Sequence, residues 1–165
     1  MEWEGWLRWR RKRKKEQQLQ AMAIGVNSSV DLTQDLHIVM LDFDMIGREK
    51  VVESVREVQE FWKLSDVTLY RTRHGYHAIA WFDHVPYERV RQIIDFTRYV
   101  DPMFKYIGRY YDHKTLRAAG KHEERDIVID SVLPGVRVPT PEEVERGSMK
   151  RKEHEALLKS DRISL

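Results

Sequence analysis

An α+β domain built on an antiparallel sheet is the fold class this sequence predicts, and three observations predict it. The first is an apolar run, His37-Ile38-Val39-Met40-Leu41, which ends in Asp42-Phe43-Asp44 and reads as a strand. The second is a stripe of Val51, Val55, Val58 and Trp62, with Val52 beside it, whose i, i+4, i+7, i+11 spacing predicts an amphipathic helix over 48–64. The third is a pair of β-rich runs, Val67–Arg73 and Tyr76–Phe82, which meet at a His74-Gly75 turn and read as a hairpin. Pro86 then opens a second helix with Val90, Ile93, Ile94 and Thr97 on one side, stopping near Asp101-Pro102. Phe104–Tyr111 and Asp126–Leu133 read as further strands. The order β-α-β-β-α-β, with both helices on one face of the sheet, is the ferredoxin-like arrangement. Its other face is expected to stay open.

Extensions flank this core. Residues 1–24 read as a helix carrying Trp3, Trp6 and Trp9 along one side. Gly25 and Asn27-Ser28-Ser29 look like a linker. At the other end, Thr140-Pro141-Glu142-Glu143 has the capping-box pattern, so a charged C-terminal helix or tail should follow. The expected organisation is a basic, Trp-containing arm and linker over 1–30, the sheet domain over 31–138, and a charged helical tail over 139–165.

Composition narrows the function classes. With no cysteine among 165 residues, disulfides, zinc-thiolate sites and a cysteine nucleophile are excluded. No apolar run approaches a membrane span and the N-terminus lacks a signal-peptide core, so a cytoplasmic protein is expected. One asparagine, no cysteine and abundant Arg, Glu, Lys and Val suggest a thermophile. The net charge of +2 conceals an asymmetry, because Arg8, Arg10, Arg11, Lys12, Arg13, Lys14 and Lys15 put seven positive charges into eight positions. The remainder is mildly acidic. A local positive field of this kind suits an arm that meets nucleic acid, although the tryptophans would equally suit docking on a partner or on an anionic membrane surface.

Two stretches carry candidate chemistry. Side chains alternate along a strand, so Asp42 and Asp44 share one face while Val39, Leu41 and Phe43 take the other. Two neighbouring carboxylates repel unless a cation lies between them. Mg²⁺ takes hard oxygen ligands and is commonly held by one or two carboxylates plus substrate phosphates. The second stretch is Tyr70-Arg71-Thr72-Arg73-His74-Gly75-Tyr76-His77, where the alternation places His77 on the face of the two aspartates. Arg71, Arg73 and His74 add positive charge at the turn, which would suit a triphosphate.

Together these stretches resemble the archaeo-eukaryotic primases and the related primase-polymerases of plasmids and viruses. That family has an apolar strand ending in Asp-x-Asp, matched by Val39-Met40-Leu41-Asp42-Phe43-Asp44. About thirty residues on it has a Ser-Gly-x-x-Gly-x-His stretch, whose end is similar to Arg71-Thr72-Arg73-His74-Gly75-Tyr76-His77, with Arg71-Thr72 in place of the Ser-Gly. Its Leu-x-Arg-x-x-Gly segment followed by Lys is loosely similar to Leu116-Arg117-Ala118-Ala119-Gly120-Lys121. The resemblance covers roughly residues 36–130 and implies an RRM-like sheet. It also implies template-directed primer synthesis on single-stranded DNA from nucleoside triphosphates with Mg²⁺ or Mn²⁺. Asp42 and Asp44 would hold the metal, His77 would contact nucleotide phosphates with Arg73 beside it, and Arg117 and Lys121 would grip phosphates. The family's third carboxylate has Asp112 as its candidate here, with Asp101 and Asp130 as alternatives. A helicase or another replication protein is a candidate partner.

Other readings stand beside this one. A non-catalytic binding module would stack single strands on Tyr70 and Trp81 of the open face, with affinity from the basic arm. A rolling-circle nickase would use Tyr110 or Tyr111 as nucleophile, but His74 and His77 face opposite sides if both are extended. A scaffold assembling through its tryptophan helix is the last.

Overall fold

The structure is a computed structural model, and it describes residues 24–31, 33–119 and 127–159. It is an α+β fold with antiparallel sheets and four helices among the described residues. The strands are β1 (Ile24–Asn27), β2 (Ser29–Asp31), β3 (Leu36–Asp44), β4 (Val67–Arg71), β5 (Gly75–Val85), β6 (Thr115–Ala119) and β7 (Val128–Leu133). The helices are α1 (Arg48–Trp62), α2 (Tyr87–Phe96), α3 (Pro102–Ile107) and α4 (Pro141–Lys159). One sheet has five strands in the order β2-β3-β5-β4-β7, and a second pairs β1 with β6.

The central strands form where the apolar pattern places them. Val39, Leu41 and Phe43 of β3 are all buried, as are Leu69 of β4 and Ala78 and Ala80 of β5. They lie on the side of the sheet where the His37 ring meets Tyr87 of α2, 5.3 Å between centroids. Helix α1 closes the same core with Val51, Val55 and Val58, and α2 with Val90, Ile93 and Ile94. This is the two-helix layer the periodicity predicts. Burying each such side chain contributes roughly 1.5–3 kcal/mol.

The opposite face is not open. Helix α4 lies on it, with the His154 ring 4.9 Å from Tyr70 and 5.5 Å from Trp81. Near its start, Gly147 sits so close to the Trp81 carbonyl and the Phe82 ring that a methyl group there would overlap both. Tyr70 and Trp81 are therefore core residues rather than a stacking surface. The helix is held by one guanidinium. Arg137 donates to Asp83 at 2.7 Å, to Glu143 at 2.8 Å and to the Phe82 carbonyl at 3.0 Å. Asp83 is buried, and it also accepts from the Ser65 hydroxyl and backbone N–H. The capping box forms as read: the Thr140 N–H donates to Glu143 and the Glu143 N–H to the Thr140 hydroxyl. Chiefly because of Arg137, the Glu143 carboxyl is lowered to about 2.

Three further expectations are corrected. Phe104–Tyr111 is not a strand, because Asp101 accepts from the Phe104 N–H and Pro102 opens helix α3. The strand of that region is β6, further on. Strand β7 forms close to where it is expected, but it pairs with β4. A ferredoxin-like sheet would return its last strand beside the first, whereas β2 holds that edge here. The polar Asn27-Ser28-Ser29 stretch is built into the sheets rather than serving as a linker. The Ser28 N–H donates to the Lys114 carbonyl, and its carbonyl accepts from Ile38, each at 2.8 Å. The expected N-terminal helix and basic arm lie outside the described residues.

Replacing Arg137 by Ala leaves a buried Asp83 carboxylate without its cation. Unfolding free energy should fall by about 3 kcal/mol in urea titration. A double variant with Asp83→Asn should recover part of that loss, since the stranded charge is then gone.

Candidate functional site

The two motif stretches meet on neighbouring strands. In the β3–β5 pairing Asp42 lies opposite His77 and Asp44 opposite Gly75. The Asp42 carbonyl points away from β5 and accepts from the Asp101 N–H at 2.8 Å. That orientation makes Asp42–His77 a non-hydrogen-bonded pair, the type in which facing side chains stand closest. The His77 Nε2 is 3.6 Å from the Asp42 Oδ1. Tyr70 continues the same row on β4.

Exposure grades along this row. The His77 side chain is 9% exposed and that of Asp42 29%, while Asp44 is exposed. The site therefore opens toward the C-terminal end of β3. There the exposed residues Arg73 and His74 form the β4–β5 turn, and the His74 carbonyl accepts from the Met45 N–H at 2.7 Å. Thr72 closes the turn, its hydroxyl accepting from the Gly75 N–H at 3.0 Å. Gly75 is required by proximity, since a methyl group on it would overlap the Phe43 carbonyl.

The three candidate third carboxylates lie in different places. Asp112 is at the far end of β3, near His37, whose pKa burial lowers against the opposing pull of Asp35 and Asp112, and it is bound to His113 at 2.8 Å. Five residues of strand, about 17 Å, separate His37 from Asp42. Asp130 sits on β7 and pairs with Arg48 at 3.0 Å. Three strand spacings, about 14 Å, lie between β7 and β3. Of the three, Asp101 is the one brought against Asp42, through its backbone, while its side chain caps α3. Arg117 lies in β6, opposite Gly25. Lys121 and the basic residues from Arg8 to Lys15 fall outside the described residues. Among the described residues, no group of three or more His, Asp or Glu side chains is gathered as a metal site.

Lys114 is a neighbour that sequence reading misses. It is 3% exposed, and its ammonium donates to the Phe104 carbonyl and lies 3.9 Å from the centre of that ring. Burial lowers its pKa to about 8, against the opposing pull of Asp42 and Asp95. In Asp112-His113-Lys114-Thr115 nothing marks it as buried. The space for it comes from Gly108, where a methyl group would collide with the ammonium.

As a donor set for Mg²⁺ or Mn²⁺, Asp42 and Asp44 fit in kind. They are hard oxygens on one face, in the number Mg²⁺ commonly takes from protein before phosphates and water complete its shell. Comparison with protein-family models, with curated proteins and with solved structures returned no match. Among the described residues no helix is long and apolar enough to cross a membrane.

On the covered side of the row, His154 has both ring nitrogens buried without a hydrogen-bond partner among the described residues. Burial pushes its pKa down to about 4. It is therefore neutral when folded, and the unfolded chain takes up a proton first as pH falls. Stability should decline by about 1.4 kcal/mol per pH unit from about pH 6.5 down to about pH 4. The His154→Leu variant should lose that increment, which the difference between urea midpoints of the two proteins across this range measures.

Proposed function

We propose that this chain is a primase-like nucleotidyltransferase, extending a primer on a single-stranded DNA template from nucleoside triphosphates. The observation that carries the reading is the cross-strand Asp42–His77 contact, which joins two motif stretches separated by about thirty residues at one strand end. Asp42 and Asp44 would hold the divalent cation. Bound there, it would offset negative charge on the phosphates and favour attack at the α-phosphate. His77, with its Nε2 beside Asp42, would be the residue that contacts a phosphate oxygen. Arg73 brings positive charge to the open end, where a triphosphate would enter. Of the three candidate carboxylates, Asp101 is the one whose backbone ties Asp42 in place. The ferredoxin-like, RRM-like core is part of this reading: β3, α1, β4, β5 and α2 follow its order. A cytoplasmic setting and a helicase or other replication partner belong to it too.

The test is Mn²⁺-dependent nucleotide binding by calorimetry, with primer synthesis alongside. Asp42→Asn/Asp44→Asn should weaken nucleotide binding at least about tenfold, a loss of about 1.4 kcal/mol. Asp101→Asn keeps a good helix cap but removes a charge, so it should also reduce synthesis. Asp112→Asn and Asp130→Asn should not. Undiminished synthesis by the double Asn variant would remove the site from consideration.

A second reading is a non-catalytic single-strand-binding replication protein on the same core. It is favoured by α4, which covers the His77 side of the sheet. It expects salt-sensitive oligonucleotide binding with no Mn²⁺-dependent nucleotide binding.

A further inference from the structure

The five-stranded sheet ends on one side in an edge that is not blunted. Among the described residues β7 pairs with β4 alone, which leaves the other side of its main chain unpaired. Edge strands are normally protected by shortness, by proline or by charge. The opposite edge, β2, is three residues long. Strand β7 has six residues, Val128-Ile129-Asp130-Ser131-Val132-Leu133, with neither proline nor lysine, and its one charge is turned away. The Asp130 carboxylate reaches in to Arg48 and is 18% exposed, while the residue as a whole is exposed, so its main chain is the part that lies open. Val128, Ile129 and Val132 are 44%, 49% and 45% exposed. An open edge of this kind takes an extended strand, because a strand supplies the N–H and C=O groups that it lacks.

The residues of β7 decide which strand. Two apolar, two polar and two apolar residues read alike in both directions, so an antiparallel second copy matches the strand about the Asp130–Ser131 midpoint. Ile129 then meets Val132 of the second copy, Val128 meets Leu133, and Asp130 meets Ser131. Residues that face each other across a ladder must share one face of the sheet. In a regular strand Ile129 and Val132, three apart, would take opposite faces. The bulge in the β4–β7 pairing, where Asp130 is the extra residue, removes that conflict. Ile129 lies opposite Tyr70 and Val132 opposite Thr68, so both stand on the α4 side. Val128 lies opposite Arg71 and Leu133 opposite Val67, so both stand on the other side. Charge agrees with this pairing. Each copy brings Arg48 and Asp130 to the axis together, so both signs meet there rather than two bare aspartates.

We propose that β7 is a self-association edge, at which two copies of this chain pair antiparallel and join their sheets into one. The edge lies three strand spacings from β3, so the pairing is independent of the Asp42 site.

The experiment is sedimentation equilibrium of the full chain, with circular dichroism of each variant to check folding. Wild type should run near twice the 19.8 kDa chain mass at about 100 µM, a concentration that populates the weak end of specific interfaces. Ile129→Lys/Val132→Lys sets like charges opposite one another and should weaken the dimer by about tenfold or more. The chain has no cysteine, so a second test reads the register directly. A tagged Ile129→Cys chain and an untagged Val132→Cys chain should cross-link to each other on mild oxidation far more than either does to itself, since facing strand residues stand at a separation a disulfide spans. A monomeric wild type would overturn the proposal, as would a dimer that survives the lysine pair. So would cysteine chains that join to themselves as readily as to each other, which would put another surface or register at the contact. Should the lysine variant lose its fold, the cysteine result decides.

Discussion

The arrangement of this protein depends on the Arg137 guanidinium. It neutralises the buried Asp83, shares a second pair of bonds with Glu143, and so fastens the first turn of α4 to the end of β5. Taking Asp83 out of water is costly unless its charge is answered. Arg137 and the Ser65 hydroxyl and N–H answer it. Once the first turn is anchored, the remaining helix is directed across the sheet. Gly147 allows the close approach and His154 fills the space between Tyr70 and Trp81. The outcome is a sheet with helices on both faces.

That layering decides how the Asp42 row can be reached. On an open sheet the whole row of Asp42, His77 and Tyr70 would face solvent. With α4 in place Tyr70 is fully buried, and exposure rises through His77 and Asp42 to Asp44. Burial also raises the Tyr70 hydroxyl to about 12, so it stays protonated. A ligand at this row must enter from the β4–β5 turn. Along the outer edge of β3, beyond its short pairing with β2, other groups supply backbone bonds. Ser28 bonds to Ile38 at one end and Asp101 to Asp42 at the other. Buried Lys114 lies behind them, against Phe104.

The sequence made some of this legible because local periodicity suffices for it. The alternation in β3 and β5 put Asp42 and His77 on one face, and the pairing register sets them opposite one another. The valine and isoleucine stripes marked α1 and α2, and Thr140 with Glu143 marked the start of α4. Where local signals conflicted, the reading failed. Phe104–Tyr111 is rich in aromatic, β-favouring residues, yet the Asp101 cap and Pro102 start a helix there. Docking of α4 was invisible for a different reason. The helix has no continuous apolar stripe, and its buried positions are a glycine and a histidine. Neither residue advertises a core in sequence.

By itself, then, the sequence determined the α+β class, the central β3-α1-β4-β5-α2 order, the shared face of Asp42, Asp44 and His77, and a strongly basic N-terminal run. Each follows from spacing along the chain, which constrains side-chain direction before any packing occurs. Only the tertiary structure decided which face α4 covers, which edge β7 joins, that Lys114 is buried, and that the Asp101 backbone bonds to Asp42. Those outcomes depend on groups far apart in sequence, such as Arg137 with Asp83 or Asp101 with Asp42. Their energies appear only when burial removes water from around them.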